Sequence, residues 1–172
     1  RENNSVWIGL YNQGMCYYHP SMNKIVLYNK KMINGDWKGE EIRCMLETSK
    51  GEILMGTTQG VYRYEPETKS MNRFYHEFSQ KNCRVLYEDS KKRVWVGTYH
   101  DGLYCIDHGK VQSYDYPDTD YQNELDFSNI RVMVEDSSGR LWVSIYGGVG
   151  LFNPENGQIN LLSEQFPELK KY

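Results

Sequence analysis

The stretch Arg93-Val94-Trp95-Val96-Gly97-Thr98-Tyr99-His100-Asp101-Gly102-Leu103-Tyr104-Cys105-Ile106 sets two runs of β-branched and aromatic residues on either side of a polar turn that ends in glycine. That composition predicts a β-hairpin. Copies of it run along the chain. Val6-Trp7-Ile8-Gly9 leads to Gly14-Met15-Cys16-Tyr17-Tyr18, Ile53-Leu54-Met55-Gly56-Thr57 to Gly60-Val61-Tyr62-Arg63-Tyr64, and Leu141-Trp142-Val143-Ser144 to Gly148-Val149-Gly150-Leu151-Phe152. The bulky centres Trp7, Leu54, Trp95 and Trp142 are 47, 41 and 47 residues apart. A period of roughly 40–50 residues is that of a four-stranded propeller blade.

Each complete unit adds an apolar strand before the hairpin and another after it. Glu41 to Glu47, Cys83 to Asp89 and Ile130 to Asp136 open the units, and Met71–Tyr75, Lys110–Tyr114 and Gln158–Leu162 close them. The turns agree, with Ser49-Lys50-Gly51 and Ser137-Ser138-Gly139 between the first two strands, and Pro66 and Pro154 after the third. Residues 1–37 form a partial blade: the Trp7 hairpin, the strand Lys24–Tyr28 and a polar connection through Asn34-Gly35-Asp36, with the strand before Trp7 missing. Residues 38–80, 81–127 and 128–164 are read as successive blades and 165–172 as a polar tail. The expected fold is all-β, a β-propeller fragment of about three and a half four-stranded antiparallel blades. Because an open fan leaves its end blades uncovered, the chain reads as a piece of a larger propeller, or as one that associates with copies of itself.

Composition narrows the function. The 172 residues include fifteen tyrosines, and 14% are aromatic, which suits strands. A net charge of −3 argues against a nucleic-acid partner, whose phosphates call for clustered Lys and Arg. No apolar run approaches the roughly 20 residues a spanning helix needs, so no membrane contact is expected of this segment. The four cysteines, Cys16, Cys44, Cys83 and Cys105, make no C-x-x-C pair and sit in apolar runs or hairpin arms, so packed thiols are expected in place of a metal site or a disulfide framework.

Ile130-Arg131-Val132-Met133-Val134-Glu135-Asp136-Ser137-Ser138-Gly139-Arg140-Leu141-Trp142-Val143-Ser144, together with Val94-Trp95-Val96-Gly97-Thr98 and Gly102-Leu103-Tyr104, resembles the two-component-regulator propeller repeats. Such repeats build the periplasmic sensor region of hybrid two-component systems common in gut Bacteroides, where large propellers feed a membrane-proximal β-sandwich and a cytoplasmic histidine kinase. The resemblance covers nearly the whole chain. Leu54 stands for the usual Trp, Thr48 for the usual Asp of the turn and Ser144 for the usual Gly of the hairpin. The resemblance implies a periplasmic sensing segment, not itself an enzyme, of a sensor kinase that is a homodimer in the parent protein, with an oligosaccharide ligand and the rest of the propeller and kinase chain as partners.

Two sets of residues are candidates for binding. Arg43, Arg84 and Arg131 stand at the same place in the three complete opening strands. An arc of guanidinium groups would grip carboxylate or sulfate through paired hydrogen bonds, whereas a purely structural role would pair each with an acid of its own blade, Glu47, Glu88 or Glu135. The hairpin turns are the second set, since they differ from unit to unit as a binding face would. Tyr99 and Tyr146 offer rings for stacking on sugars, and His100 and Asp101 offer hydrogen bonds to hydroxyls. Asp118, Asp120 and Glu124, in the insertion Asp115–Phe127, lack the glycine and twelfth-position glutamate of a calcium loop. No catalytic, metal or cofactor motif is present: there is no Gly-x-Ser-x-Gly elbow or His-Glu-x-x-His helix, and Asp136 lies three residues before Gly139 where a sialidase Asp-box sets two. Asn3-Asn4-Ser5 matches a glycosylation sequon without functional meaning in a bacterial-looking chain. The expected function is ligand sensing. A protein-interaction propeller and a propeller glycosidase or lyase are the alternatives.

Overall fold

A computed structural model describes residues 5–11, 13–116, 125–166 and 168. The chain forms two compact units, residues 1–83 and 84–172. In the first unit, strands β1 (Val6–Leu10), β2 (Gly14–His19) and β3 (Lys24–Tyr28) form an antiparallel sheet in which Trp7 faces Tyr17 and Ile8 faces Cys16. The expected polar connection contains a further short strand, β4 (Asn34–Gly35), parallel to β8 (Ser70–Arg73). Gly35 makes this approach possible: at φ 95° it lies so close to the neighbouring chain that a Cβ would sit 2.6 Å from the Met71 carbonyl oxygen. Strands β5 (Ile42–Glu47), β6 (Ile53–Thr57) and β7 (Gly60–Glu65) complete that sheet in the order β4-β8-β7-β6-β5. Met15, Trp37, Met55, Tyr62, Tyr64 and Met71 form the core, with the Trp7 ring 5.3 Å from that of Tyr64.

The second unit follows the repeat closely. Strands β9 (Cys83–Glu88), β10 (Val94–Thr98), β11 (Leu103–Asp107) and β12 (Lys110–Tyr114) form one antiparallel sheet. Strands β13 (Asp126–Glu135), β14 (Leu141–Tyr146), β15 (Gly148–Phe152) and β16 (Ile159–Leu161) form the other, followed by the single-turn helix α1 (Leu162–Gln165). Strand β13 takes in Asp126 and Phe127, which the sequence placed in the insertion, because the Asp126 carboxylate anchors the strand start by accepting from both the N–H and the hydroxyl of Ser128. Asp118, Asp120 and Glu124 lie outside the described residues. Trp95 joins the two sheets, stacking on Tyr114 at 5.9 Å and meeting the Phe152 edge at 5.3 Å. Tyr114 donates to the Pro154 carbonyl at 2.9 Å, and Ser90 donates its N–H and hydroxyl to the Glu135 carboxylate at 2.7 and 2.6 Å.

One turn carries much of this order. Asp89 Oδ1 accepts from the N–H groups of Lys91 and Arg93, while Oδ2 accepts from Arg93 Nε at 2.7 Å and Trp95 Nε1 at 2.9 Å. Asp136 repeats the set with Ser138, Arg140 and Trp142, again at 2.7 and 2.9 Å for the two Oδ2 bonds. Burial by itself would raise the Asp89 carboxyl, yet the bonds from Trp95 and Arg93 outweigh it and hold it below the ordinary carboxylate range. At Asp136 the Trp142 bond leads, and the shift has the same direction. In the first unit Thr48 keeps only the local bonds: its N–H donates to the Glu52 carbonyl and its hydroxyl accepts from the Glu52 N–H. A threonine hydroxyl is too short to reach an indole six residues on, and the residue there is the fully buried Leu54. Thr48, Glu52 and Leu54 thus stand where the other two turns have Asp, Arg and Trp, and the three differences fit one another.

Glycine in the second strand has a separate cause. A Cβ on Gly97 would lie 2.6 Å from Ile130 Cγ2 and also press on Val85 Cγ1, so the inner strands β9 and β13 pack directly onto its backbone.

Trp95→Phe leaves the buried Asp89 carboxylate short of one donor and is expected to cost about 1–3 kcal/mol in urea unfolding. Because the folded carboxyl is depressed, its contribution is complete above the unfolded value of about 4 and is lost as the pH falls below that. The stability gap between wild type and Asp89→Asn is therefore expected to narrow from pH 7 to pH 3. Gly97→Ala is expected to cost about 1–3 kcal/mol through overpacking, measured the same way.

Candidate functional site

In the second unit the β10–β11 turn, the β14–β15 turn and the start of β13 enclose a cavity of about 370 Å³. Tyr99 and His100 come from the first turn, Tyr146 from the second, and Asp126, Asn129 and Arg131 from the strand. Four sequence candidates, Tyr99, His100, Arg131 and Tyr146, thus meet in one place. The repeat brings them together, since hairpin turns of neighbouring sheets and the inner strand between them open to the same side.

The rings are already occupied by cations. The Arg131 guanidinium lies 4.9 Å from the Tyr146 ring centre, and that of Arg84 lies 4.3 Å from the Tyr99 ring. Stacking fixes each guanidinium plane while leaving its edge available to an oxyanion. The Glu135 carboxylate holds Ser90 through two hydrogen bonds. Arg43 lies in the first unit, 3.2 Å from Glu41, and takes no part in this cavity. Asp101 does not line it either, and its N–H donates to Thr98 Oγ1 within the turn.

His100 is held in two ways. Its backbone lies at φ 79°, a conformation costly for a side-chain-bearing residue, and its Nδ1 is 3.0 Å from Asp126 Oδ2. Asp126 is itself buried and tied to Ser128, so the imidazole is oriented by a rigid carboxylate and Nε2 is left for another partner. Asn129 is 3% exposed, and its Oδ1 has no hydrogen-bond partner among the described residues. A buried acceptor left unmade costs about 1–3 kcal/mol, and a donor brought by a ligand would recover it. Sequence reasoning missed Asp126 and Asn129. The Asp126-Phe127-Ser128 spacing, in which an aspartate caps the residue two on, was the available signal for the first, and Asn129 carried none.

A larger cleft, about 540 Å³, is lined by Lys91 and Arg93 but also by Asp107 and Glu155, and Arg93 is committed to Asp89. Mixed charge and a structural arginine make it the poorer candidate. Among the described residues no group of three metal-ligating side chains occurs, and no helix is long and apolar enough to cross a membrane.

Residues 77–100 and 124–147 match the family model described as two component regulator propeller. Those two segments match the repeat of that family. Among solved structures it is similar to the extracellular domain of a hybrid two component system from B. thetaiotaomicron, with 27% identity and a TM-score of 0.67 over 92% of this chain. It also resembles the extracellular domain of a one component system from the same organism, at 18% identity and a TM-score of 0.70 over 93% of this chain. The chain spans only 20% and 24% of those two proteins. Virginiamycin B lyase from Staphylococcus aureus matches with a TM-score of 0.68 at 14% identity, over 94% of this chain and 52% of that one, a likeness of fold alone. No curated protein matches. The fold is that of a β-propeller fragment.

In the neutral imidazole of His100 the proton is expected on Nδ1, bonded to Asp126, and nitrogen NMR of the ring should report that tautomer. Asp126→Asn should shift the population toward the Nε2-protonated form while leaving the strand pairing intact.

Proposed function

We propose that the chain is a segment of an extracytoplasmic sensory propeller that recognises an oligosaccharide and passes its occupancy to a histidine kinase in the same protein. Residues 38–80, 81–127 and 128–164 are taken as successive blades of that propeller. The observation that carries the reading is the cavity between the β10–β11 and β14–β15 turns. It combines a stacked arginine, an oriented histidine, a buried amide without a partner and two tyrosines, a set suited to hydroxyl and carboxylate or sulfate groups on a ring. The likeness to the extracellular domain of a hybrid two component system supports the sensory and extracytoplasmic parts of the reading. Signalling follows as a population shift, in which the occupied state favours one arrangement of a dimer of the parent protein.

Both alternatives fit the cavity less well. A docking face for another protein would be flat and apolar-rimmed, whereas this lining sets His100, Asp126, Asn129 and Arg131 among Leu125 and the two tyrosine rings. A glycosidase needs two carboxyl groups flanking the scissile bond. Among the described residues the cavity supplies Asp126 alone, already engaged by His100 and Ser128.

Thermal unfolding of the complete extracellular region against acidic and neutral oligosaccharides tests the proposal. A ligand at a hundredfold excess over its Kd contributes about 2.7 kcal/mol and is expected to raise Tm measurably. Arg131→Ala and Asn129→Ala should abolish the rise while keeping the unliganded Tm near wild type, and Arg43→Ala should leave it in place. No shift with any sugar, or a shift indifferent to Arg131 and Asn129, sinks the reading.

A further inference from the structure

Gly56 in β6 and Gly97 in β10 are equivalent positions, and each is roofed by two side chains from opening strands. Over Gly97 these are Val85 and Ile130; over Gly56 they are Cys44 and Cys83. A Cβ on Gly56 would collide with Cys44 Sγ and lie 3.1 Å from Cys83 Cβ, so both cysteines close on the same point. Where one repeat has an aliphatic pair, the other has replaced both members by cysteine. A single cysteine would be an ordinary small packed residue, but two cysteines closing on one point are a pair that can bond.

We propose that Cys44 and Cys83 are a disulfide-forming pair that joins β5 to the first residue of β9 when the protein meets an oxidant. The location of that oxidant rests on the extracytoplasmic reading above, because disulfides persist outside the cytosol and are reduced within it. All four cysteines are thiols in the structure. A disulfide brings its Cβ atoms to about 3.5–4.5 Å; both side chains already reach the space above Gly56, and Cys83 Sγ, which lies 3.6 Å from the Lys81 carbonyl oxygen, would turn from it to form the bond. Cys44 is partly exposed and Cys83 is buried, which sets the order of events. The Cys44 thiolate attacks an external disulfide such as oxidised glutathione and releases one glutathione thiolate. Cys83 then gives up its proton, and its thiolate attacks Cys44 Sγ and displaces the second glutathione. Two thiols are oxidised and one glutathione disulfide is reduced to two thiols, so electrons and protons balance. Cys105 is a poor competitor, since burial pushes its thiol up to about 11. Cys16 is fully packed beneath β1 and β3.

The test incubates the folded chain with oxidised glutathione at pH 8, followed by thiol titration under denaturing conditions and peptide mapping without reductant. Two of the four thiols should disappear, the protein should become two hydrogens lighter, and the Cys44 and Cys83 peptides should migrate as one. The urea midpoint should rise on oxidation, while the double variant Cys44→Val with Cys83→Ile, which restores the aliphatic pair of the neighbouring repeat, should fold and show neither change. Four surviving thiols, stable mixed disulfides with glutathione, or linkage through Cys16 or Cys105 would each overturn the proposal. A crosslink formed in vitro but missing from protein isolated from its native cells under thiol-blocking conditions would support the pair and count against the extracytoplasmic reading.

Discussion

A carboxylate that ties a turn to a tryptophan six residues later is the interaction on which the second unit depends. Asp89 and Asp136 each spend one oxygen on two backbone N–H groups of the turn, and the other on an arginine and an indole. The first oxygen sets the turn and the second sets how the next strand enters the core. An indole N–H buried without an acceptor is costly, so Trp95 is tolerated at full burial because Asp89 reaches it. Thr48 and Leu54 show the converse case. Where the carboxylate is absent the aromatic is absent too, and the turn is held by backbone bonds and the Thr48 hydroxyl.

From that anchor follows the stiffness of the binding face. The central strands are paired on both sides and Gly97 is pressed beneath the opening strands, so the hairpin turns project from a base with little freedom. Such a base can hold His100 in a strained backbone conformation and Asn129 with an unmade bond. Both features cost stability in the unliganded chain, and a ligand that satisfies the amide gains what the fold has already spent. The repeated arginines divide by context. Arg43 is ion-paired with its own strand's Glu41, while Arg84 and Arg131 lie on tyrosines brought by the hairpin turns.

Repetition also makes departures informative. In a chain built of near-copies, a residue that matches its equivalents is explained by the shared architecture, and one that differs needs a local reason. The cysteines over Gly56 and the Thr48–Leu54 pair are both departures in which two related positions differ from their equivalents at once. In each case the second change is what makes the first chemically sensible.

The hairpins, their period, the all-β class and the family of the repeats were determined by the sequence alone, because alternation, turn glycines and a 41–47-residue spacing are local signals that each repeat states again. Short-range reading failed where a contact is made across the chain. Asn34–Gly35 becomes a strand because β8, some 36 residues later, lies beside it, and Asp126 leaves the insertion to begin β13 because it finds Ser128 and His100. Tertiary structure alone decided which candidates meet: Tyr99, His100, Arg131 and Tyr146 share a cavity with Asp126 and Asn129, while Arg43 and Asp101 stand apart from it. The reason is physical. Strand propensity and turn chemistry are properties of neighbouring residues, whereas a binding cavity is a property of the sheets that pack around it, and no single repeat contains one.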